Sequence, residues 1–321
     1  MAECDSRHIL AQVRHFVSVA ALLMAVDRFV AEAAARSAIL VMRLPLLRSL
    51  ATILAALVLA ACASRPVAPG HAPFPAGPGI LLEDLTWVES ARHLSADAVI
   101  VIPLGAESKE HGPHLKLRND WTLAEYYKRR IAAATNVVIA PTINYNYFPA
   151  FVEYPGSTTL SLATARDMIV DICRSLARHG PRRIYILNTG VSTLHPLRAA
   201  QAILARDSVP VIMHFTDVLK LTAELDKQLA KQEGGTHADE LETSMMLYID
   251  PESVDMTKAV KDFHTGAGRL SRTKGPGVTY SASGIWGDPT LATREKGKAL
   301  VEASVKGMLA EIDVLRRTPV P

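Results

Sequence analysis

The sequence predicts an α/β fold: a mostly parallel sheet covered by helices on both faces. Two observations carry this. Short apolar runs rich in β-formers alternate with longer helical patterns, and turn signals such as Gly180-Pro181 separate them. A βαβ alternation of this kind needs crossover connections, and these lay helices against the sheet.

The elements follow in order. "AVIVIP" (98–103) is a continuous apolar run, as expected of a strand buried on both faces. "DWTLAEYYKRRIAAA" (120–134) has a helical pattern, with Asp120 at its start in a capping position. "NVVIAP" (136–141) reads as the next strand, and "ATARDMIVDICRSLARHG" (163–180) as a helix closed by Gly180-Pro181. "RIYILN" (183–188) and "VPVIMHF" (209–215) are strands on either side of the helical "PLRAAQAILARD" (196–207). "GGTHADELETSMMLYIDPESVDM" (234–256) begins with glycines and leads into a helix. The turn-rich "SGIWGDPTLATREKG" (283–297) precedes a final helix, "KALVEASVKGMLAEIDVLRR" (298–317). No internal repeat is visible. In such sheets ligands bind beyond the carboxyl ends of the strands, which here means Gly105–Asp120, Thr142–Tyr147, Thr189–Thr193 and Thr216–Asp217.

The N-terminal region reads differently. Met42 opens "MRLPLLRSLATILAALVLAAC", in which two arginines precede an apolar run ending in Leu59-Ala60-Ala61-Cys62. This order is that of a bacterial lipoprotein signal, with Cys62 as the acylated residue. The run after Arg48 is shorter than the roughly 20 residues a membrane span needs. The expected organisation is an upstream extension before the natural start (1–41), a signal peptide (42–61), a Pro/Gly/Ala-rich tether (62–79) and one folded domain (80–321), its elements running from about Ile80 to about Arg316. The alternative for the first segment is an amphipathic helix over "AALLMAVDRFVAEAAARSAIL". The expected location is the cell envelope, facing the periplasm, with the membrane reached through the lipid on Cys62 and the outer membrane preferred because no aspartate follows the cysteine.

Composition narrows the partners. The 321 residues carry 35 Lys/Arg against 32 Asp/Glu, and Met1–Ala61 holds six and four of these, leaving 29 against 28 beyond it. A nearly neutral domain without a basic cluster interleaved with aromatics excludes nucleic acid as the expected partner. Of three cysteines, acylation of Cys62 and removal of Cys4 would leave only Cys173, within a helical pattern, where it reads as a small core residue.

Two clusters could carry chemistry. His111, His114 and Asp120 lie within ten residues, with Glu107 and Glu110 just before them. Imidazole and carboxylate ligands suit zinc or manganese; a charged surface loop with Asp120 as a helix cap fits the same residues. His237, Asp239, Glu240 and Glu242 form the second cluster, which an acid-rich first helical turn would also explain.

"IPLGAESKEHGPHLKLRND", "YPGSTTLSL", "HADELETSMML" and "GIWGDPTLATREKG" together resemble the ordered landmarks of the creatininase (creatinine amidohydrolase) family, from about Ile100 to the final helix. The resemblance implies a three-layer α/β/α fold, assembly as a homo-oligomer, often a hexamer, and a site of one or two divalent ions, zinc or manganese, that hydrolyses C–N bonds of small amides and cyclic amides. It implies His111, Asp120 and Glu242 as metal ligands and His237 as the group that moves protons. It also exposes two departures. Lys109 stands where the family has a glutamate, so Glu110 is favoured as the ligand, with Glu107 open. Gly190, in "ILNTGVSTLHPL", stands where a second metal-binding histidine belongs, with His195 or His214 as conceivable substitutes.

The expected function is therefore metal-dependent amide hydrolysis by activated water, with metal on Glu110, His111, Asp120 and Glu242. His237 would protonate the leaving nitrogen and Glu240 would accept a proton. Asn188 and Ser192 would orient the substrate. The alternative is a lipoprotein that keeps the fold, has lost catalysis, and binds a small ligand or protein partner.

Overall fold

Five strands, β1 (Ile80–Leu81), β2 (Val99–Leu104), β3 (Val138–Ile139), β4 (Arg183–Asn188) and β5 (Ile212–Phe215), pair in the order β1-β3-β2-β4-β5. Every pairing is parallel. The computed structural model describes residues 77–265 and 268–320, all within the unit Pro73–Pro321. Cys62, the signal-like segment and the extension lie outside the described residues. No helix among the described residues is long and apolar enough to cross a membrane.

The period-2 geometry of β2 and β4 builds two cores from adjacent residues. Val99, Val101, Tyr185 and Leu187 point to one face, Ile100, Ile102, Ile184 and Ile186 to the other. After α1 (Trp87–His93), the helices are α2 (Asn119–Ala134), α3 (Leu162–Ala177), α4 (Leu194–Arg206), α5 (Val218–Leu221), α6 (Ala223–Leu229), α7 (Glu240–Ile249) and α8 (Arg294–Arg317). On the first face the core takes Leu123, Tyr127 and Ile131 of α2, Met246 and Ile249 of α7, and Val301, Val305 and Ile312 of α8. On the second it takes Ile169 and Cys173 of α3 with Leu197, Ala200 and Leu204 of α4. The sheet is thus a middle layer between two helical layers. A two-stranded parallel ribbon, β6 (Arg269–Ser271) with β7 (Val278–Tyr280), stands apart from it.

Helices α7 and α8 cross closely because Gly297 has no side chain. A Cβ there would lie 1.8 Å from the Ser244 carbonyl oxygen. This contact sets the height of α7, whose first turn carries Glu242.

The topology also places the site. From β2 the chain runs through α2 to β3 on one side, and from β4 through α4 to β5 on the other. Neighbouring strands whose exits diverge leave a crevice at their carboxyl ends. The loops that start there are 105–118 and 189–193.

Candidate active site and metal centre

The loop after β2 is tied down before it delivers any side chain. Glu107 N–H donates to the Asn144 carbonyl at 3.1 Å, Trp121 N–H to Ala106 at 3.0 Å, and Lys109 N–H to Leu117 at 3.1 Å. His111 is thereby held fully buried, its Nδ1 2.9 Å from the Lys109 carbonyl. A carbonyl only accepts, so Nδ1 carries a proton and Nε2 is the atom turned inward. That atom lies 2.8 Å from Asp120 Oδ1 and 3.4 Å from Glu242 Oε1.

Asp120 comes from the first turn of α2 and Glu242 from the first turn of α7, where helix dipoles favour carboxylates. Glu242 is fixed by the Ala238 N–H at 2.7 Å on Oε2 and by Asn119 Nδ2 at 3.0 Å on Oε1. Asp239 caps the helix, accepting from Leu241 N–H and Glu242 N–H at 3.0 Å each. Ala238 turns through a left-handed φ of 49° between His237 and this cap. His237 is held on its other side by the Trp286 backbone.

Ligand atoms of His111, His237 and Glu242 lie within 4.8 Å of one another, a spacing that suits one cation. The electrostatics agree. Burial and the Lys109 charge pull the His111 pKa down, yet Asp120 and Glu242 hold it up at about 9. Burial opposes ionisation of Glu242, but His111 keeps it far below the usual carboxylate range. Burial likewise opposes ionisation of Asp120, and Lys109 and His111 lower it. The pocket therefore favours positive charge at the centre of these groups. His111, Asp120 and the half-buried Glu242 converge as an imidazole-and-carboxylate donor set, with the His237 imidazole beside it, and such donors fit a divalent ion such as zinc or manganese.

A cavity of about 450 Å³ opens over the cluster. Its lining includes Lys109, Asp120, His237 and Glu242 together with Phe148, Phe151 and the 188–192 loop. Its size suits a small ligand.

Residues 83–312 match the family described as Creatininase: Creatinine amidohydrolase. The chain belongs to the creatininase family. It is 28% identical over 256 residues to the creatinine amidohydrolase of Pseudomonas putida, covering 71% of this chain and 94% of that protein. It is 27% identical over 252 residues to the mycofactocin precursor peptide peptidase of Mycolicibacterium smegmatis, covering 74% of this chain and 90% of the relative. Among solved structures, a mutant creatininase of Zn–Zn type superposes with a TM-score of 0.63 at 25% identity, covering 75% of this chain and 99% of that one. The α/β fold read from the sequence is the fold of these proteins, and the chain is a hydrolase of this family.

Against the creatininase landmarks, the structure brings His111, Asp120, His237 and Glu242 together from three separate segments. Glu110 is also buried, but its Oε2 is 3.1 Å from His237 Nε2 and its other oxygen accepts from the Gly112 N–H. It stands behind His237 as a partner. Glu107 is exposed and receives Asn144 Nδ2 at 2.9 Å. Glu240 is not brought to the cavity. It is fully buried, paired with Lys296, and accepts from the Lys231 and Gln232 N–H groups at 2.7 Å each, so it anchors the strap before α7. The helical period explains this: Glu240 and Glu242 differ by two residues and leave opposite sides of α7.

The 189–193 loop is similarly specific. Asn188 lines the cavity, but its Nδ2 donates to the Gly190 and Thr216 carbonyls at 2.7 and 3.2 Å. Its Oδ1 accepts from Gly190 N–H and Thr193 Oγ1. Asn188 thus shapes the loop, while Ser192 lies on the cavity wall. His195 is exposed beside Tyr147, and His214 is exposed 3.8 Å from Glu311, so neither stands in for a histidine at Gly190. His114, read as a candidate in the first cluster, bonds through Nε2 to Thr243 Oγ1 at 2.8 Å, and burial lowers its pKa to about 4. It supports α7 from below.

Sequence reasoning missed Asn119, Phe148 and Phe151. Phe151 packs on the His237 ring with centroids 4.3 Å apart. Its only signal was its place in the segment that follows β3, twelve residues beyond Ile139.

Proposed function

We propose that this creatininase-family chain is a metal-dependent amidohydrolase that cleaves the C–N bond of a small amide or cyclic amide. The observation that carries the reading is the buried convergence of His111 Nε2 with Asp120, Glu242 and His237 under the cavity. His111, Asp120 and Glu242 would hold a divalent ion. When bound, such an ion supplies Lewis acidity that lowers the pKa of water and polarises a carbonyl.

The chain's own residues supply the rest. Asn119 and the Ala238 N–H orient Glu242, and the Lys109 carbonyl orients His111, before anything binds. Phe148 and Phe151 wall the cavity and limit water around the reacting carbonyl. His237 stands beside the donor set, oriented by Glu110 on Nε2 and by Phe151 on its face. It takes up a proton at Nδ1 and gives it to the departing nitrogen, which cannot leave as an amide anion.

Metal analysis of the purified chain, followed by a screen of cyclic amides, formamides and short peptides, tests this. Bound zinc or manganese that is lost in His111→Ala, with turnover lost in parallel, is expected. Absence of bound metal after loading, with no response to His111→Ala, would overturn the reading in favour of a binding protein that keeps only the fold.

We also propose that Cys62 carries a lipid that holds the domain at the periplasmic face of an envelope membrane. Support comes from the order of basic residues, apolar run and Leu59-Ala60-Ala61-Cys62. Labelled palmitate should enter the native protein and not Cys62→Ser; equal labelling of both refutes it.

A further inference from the structure

We propose that the ammonium of Lys109 is a built-in second cation of this centre, and that the chain in consequence binds a single divalent ion. The inference rests on the metal-dependent reading above. Its starting point is Asp120, whose two carboxylate oxygens face different partners. Oδ1 is 2.8 Å from His111 Nε2, on the side of the His237–Glu242 cluster. Oδ2 is 2.6 Å from Lys109 Nζ. Both residues are buried, at 1% and 6% exposure.

The contact at Oδ2 is an ion pair rather than an aligned hydrogen bond, and Oδ2 has no hydrogen-bond donor of its own. A carboxylate oxygen so placed needs a cation, and the cation present is the ammonium. The surroundings of Nζ are those of a lysine and not of a metal. It lies 5.0 Å from the Phe151 ring centroid and 5.7 Å from that of Phe148, aromatic faces that attract a cation without offering ligands. Gly190 adjoins the same wall, since a Cβ on it would sit 3.7 Å from Phe148. It presents no donor, and its carbonyl is already taken by Asn188 and Thr193.

Charge balance points the same way. Glu110, Asp120 and Glu242 are the carboxylates in contact with the two histidines. Their three negative charges balance one ammonium and one divalent ion. A second divalent ion would leave two positive charges uncompensated in a buried pocket, beside the ammonium.

The full-length protein, stripped and reloaded with Mn²⁺, is the test. Elemental analysis should give about one ion per chain, and the electron paramagnetic resonance spectrum should show isolated Mn²⁺ without exchange coupling. Lys109→Met keeps the apolar stem and removes the competitor for Asp120. It should still bind about one ion, with a dissociation constant tightened about tenfold or more, the scale of a neighbouring unit charge. Two ions per chain with an exchange-coupled spectrum in the wild type would overturn the inference and leave the metal-dependent reading standing. Unchanged or weaker affinity in a Lys109→Met protein with native circular dichroism would also overturn it. No bound ion in either protein would overturn both.

Discussion

Gly284→Ala tests how far the site depends on packing behind His237. Gly284 has a φ of 83°, and a Cβ there would lie 2.0 Å from Glu110 Oε1 and 2.3 Å from its Cδ. The carboxylate is the end of a side chain and can swing away, but only by leaving the Gly112 N–H and His237 Nε2. The left-handed backbone costs an alanine about 1–2 kcal/mol. Loss of hydrogen bonds to a buried charged group adds about 1.5–3 kcal/mol. A domain of this size should then melt lower by about 10 °C, measured by circular dichroism. His237, no longer oriented, should lose about 10- to 100-fold in turnover while bound metal remains. The double variant with Glu110→Ala separates the two contributions, because Gly284→Ala should then cost only its backbone share. A melting point within about 2 °C of wild type, or equal costs in both backgrounds, would refute the reasoning.

Three further outcomes follow from individual contacts. Lys296→Met strands the fully buried Glu240 and should cost about 3–5 kcal/mol by urea unfolding, with metal content unchanged, since Glu240 faces away from the cavity. Asn119→Ala releases Glu242 Oε1 and should weaken metal binding about 10- to 100-fold, read by competition with a chelating dye. Cys173 is fully buried and its thiol is pushed up to about 12, so iodoacetamide at mildly alkaline pH should label it only after unfolding; rapid labelling of the native protein would show the α3 core to be open.

Much of the fold is legible in the sequence because a strand buried on both faces leaves no choice of residue. "RIYILN" is β4 at its full length, 183–188, and "AVIVIP" overlaps β2 at 99–104. The strand expected over 136–141 shrinks to Val138–Ile139, because Pro141 has no N–H for a ladder and the chain turns away. Elements with weak burial are not legible. Neither α5 nor α6 buries a residue fully, and β1 is two residues long, so none imprints a period on the sequence. Within the site, the convergence of His111, Asp120, His237 and Glu242 could be anticipated from the order of the family landmarks, whereas spacing alone left both clusters open. The roles of Glu110 and Glu240 could not. A carboxylate's partner is set by side-chain direction, which for Glu240 is fixed by Lys296 from fifty-six residues away.

Lys109 and Gly190 show how two local irregularities become one arrangement. Against the family pattern that the sequence resembles they read as separate departures, one expected ligand replaced by a cation and another by nothing. In the structure both lie near Phe148, whose ring centroid is 5.7 Å from the ammonium and whose edge is 3.7 Å from where a Cβ at Gly190 would sit. A glutamate at 109 would set a fourth carboxylate against Asp120, with the cation between them absent. A histidine at 190 would place its Cβ 3.0 Å from Thr193 Oγ1, tight enough that the hydroxyl must shift, and 3.7 Å from the Phe148 ring, an ordinary contact. The lysine supplies the positive charge that Asp120 Oδ2 faces, and the glycine leaves the Thr193 hydroxyl free to bond Asn188 and the Gly190 carbonyl. On the proposed reading Asp120 lies between two positive positions, of which one, the Lys109 ammonium, belongs to the chain itself.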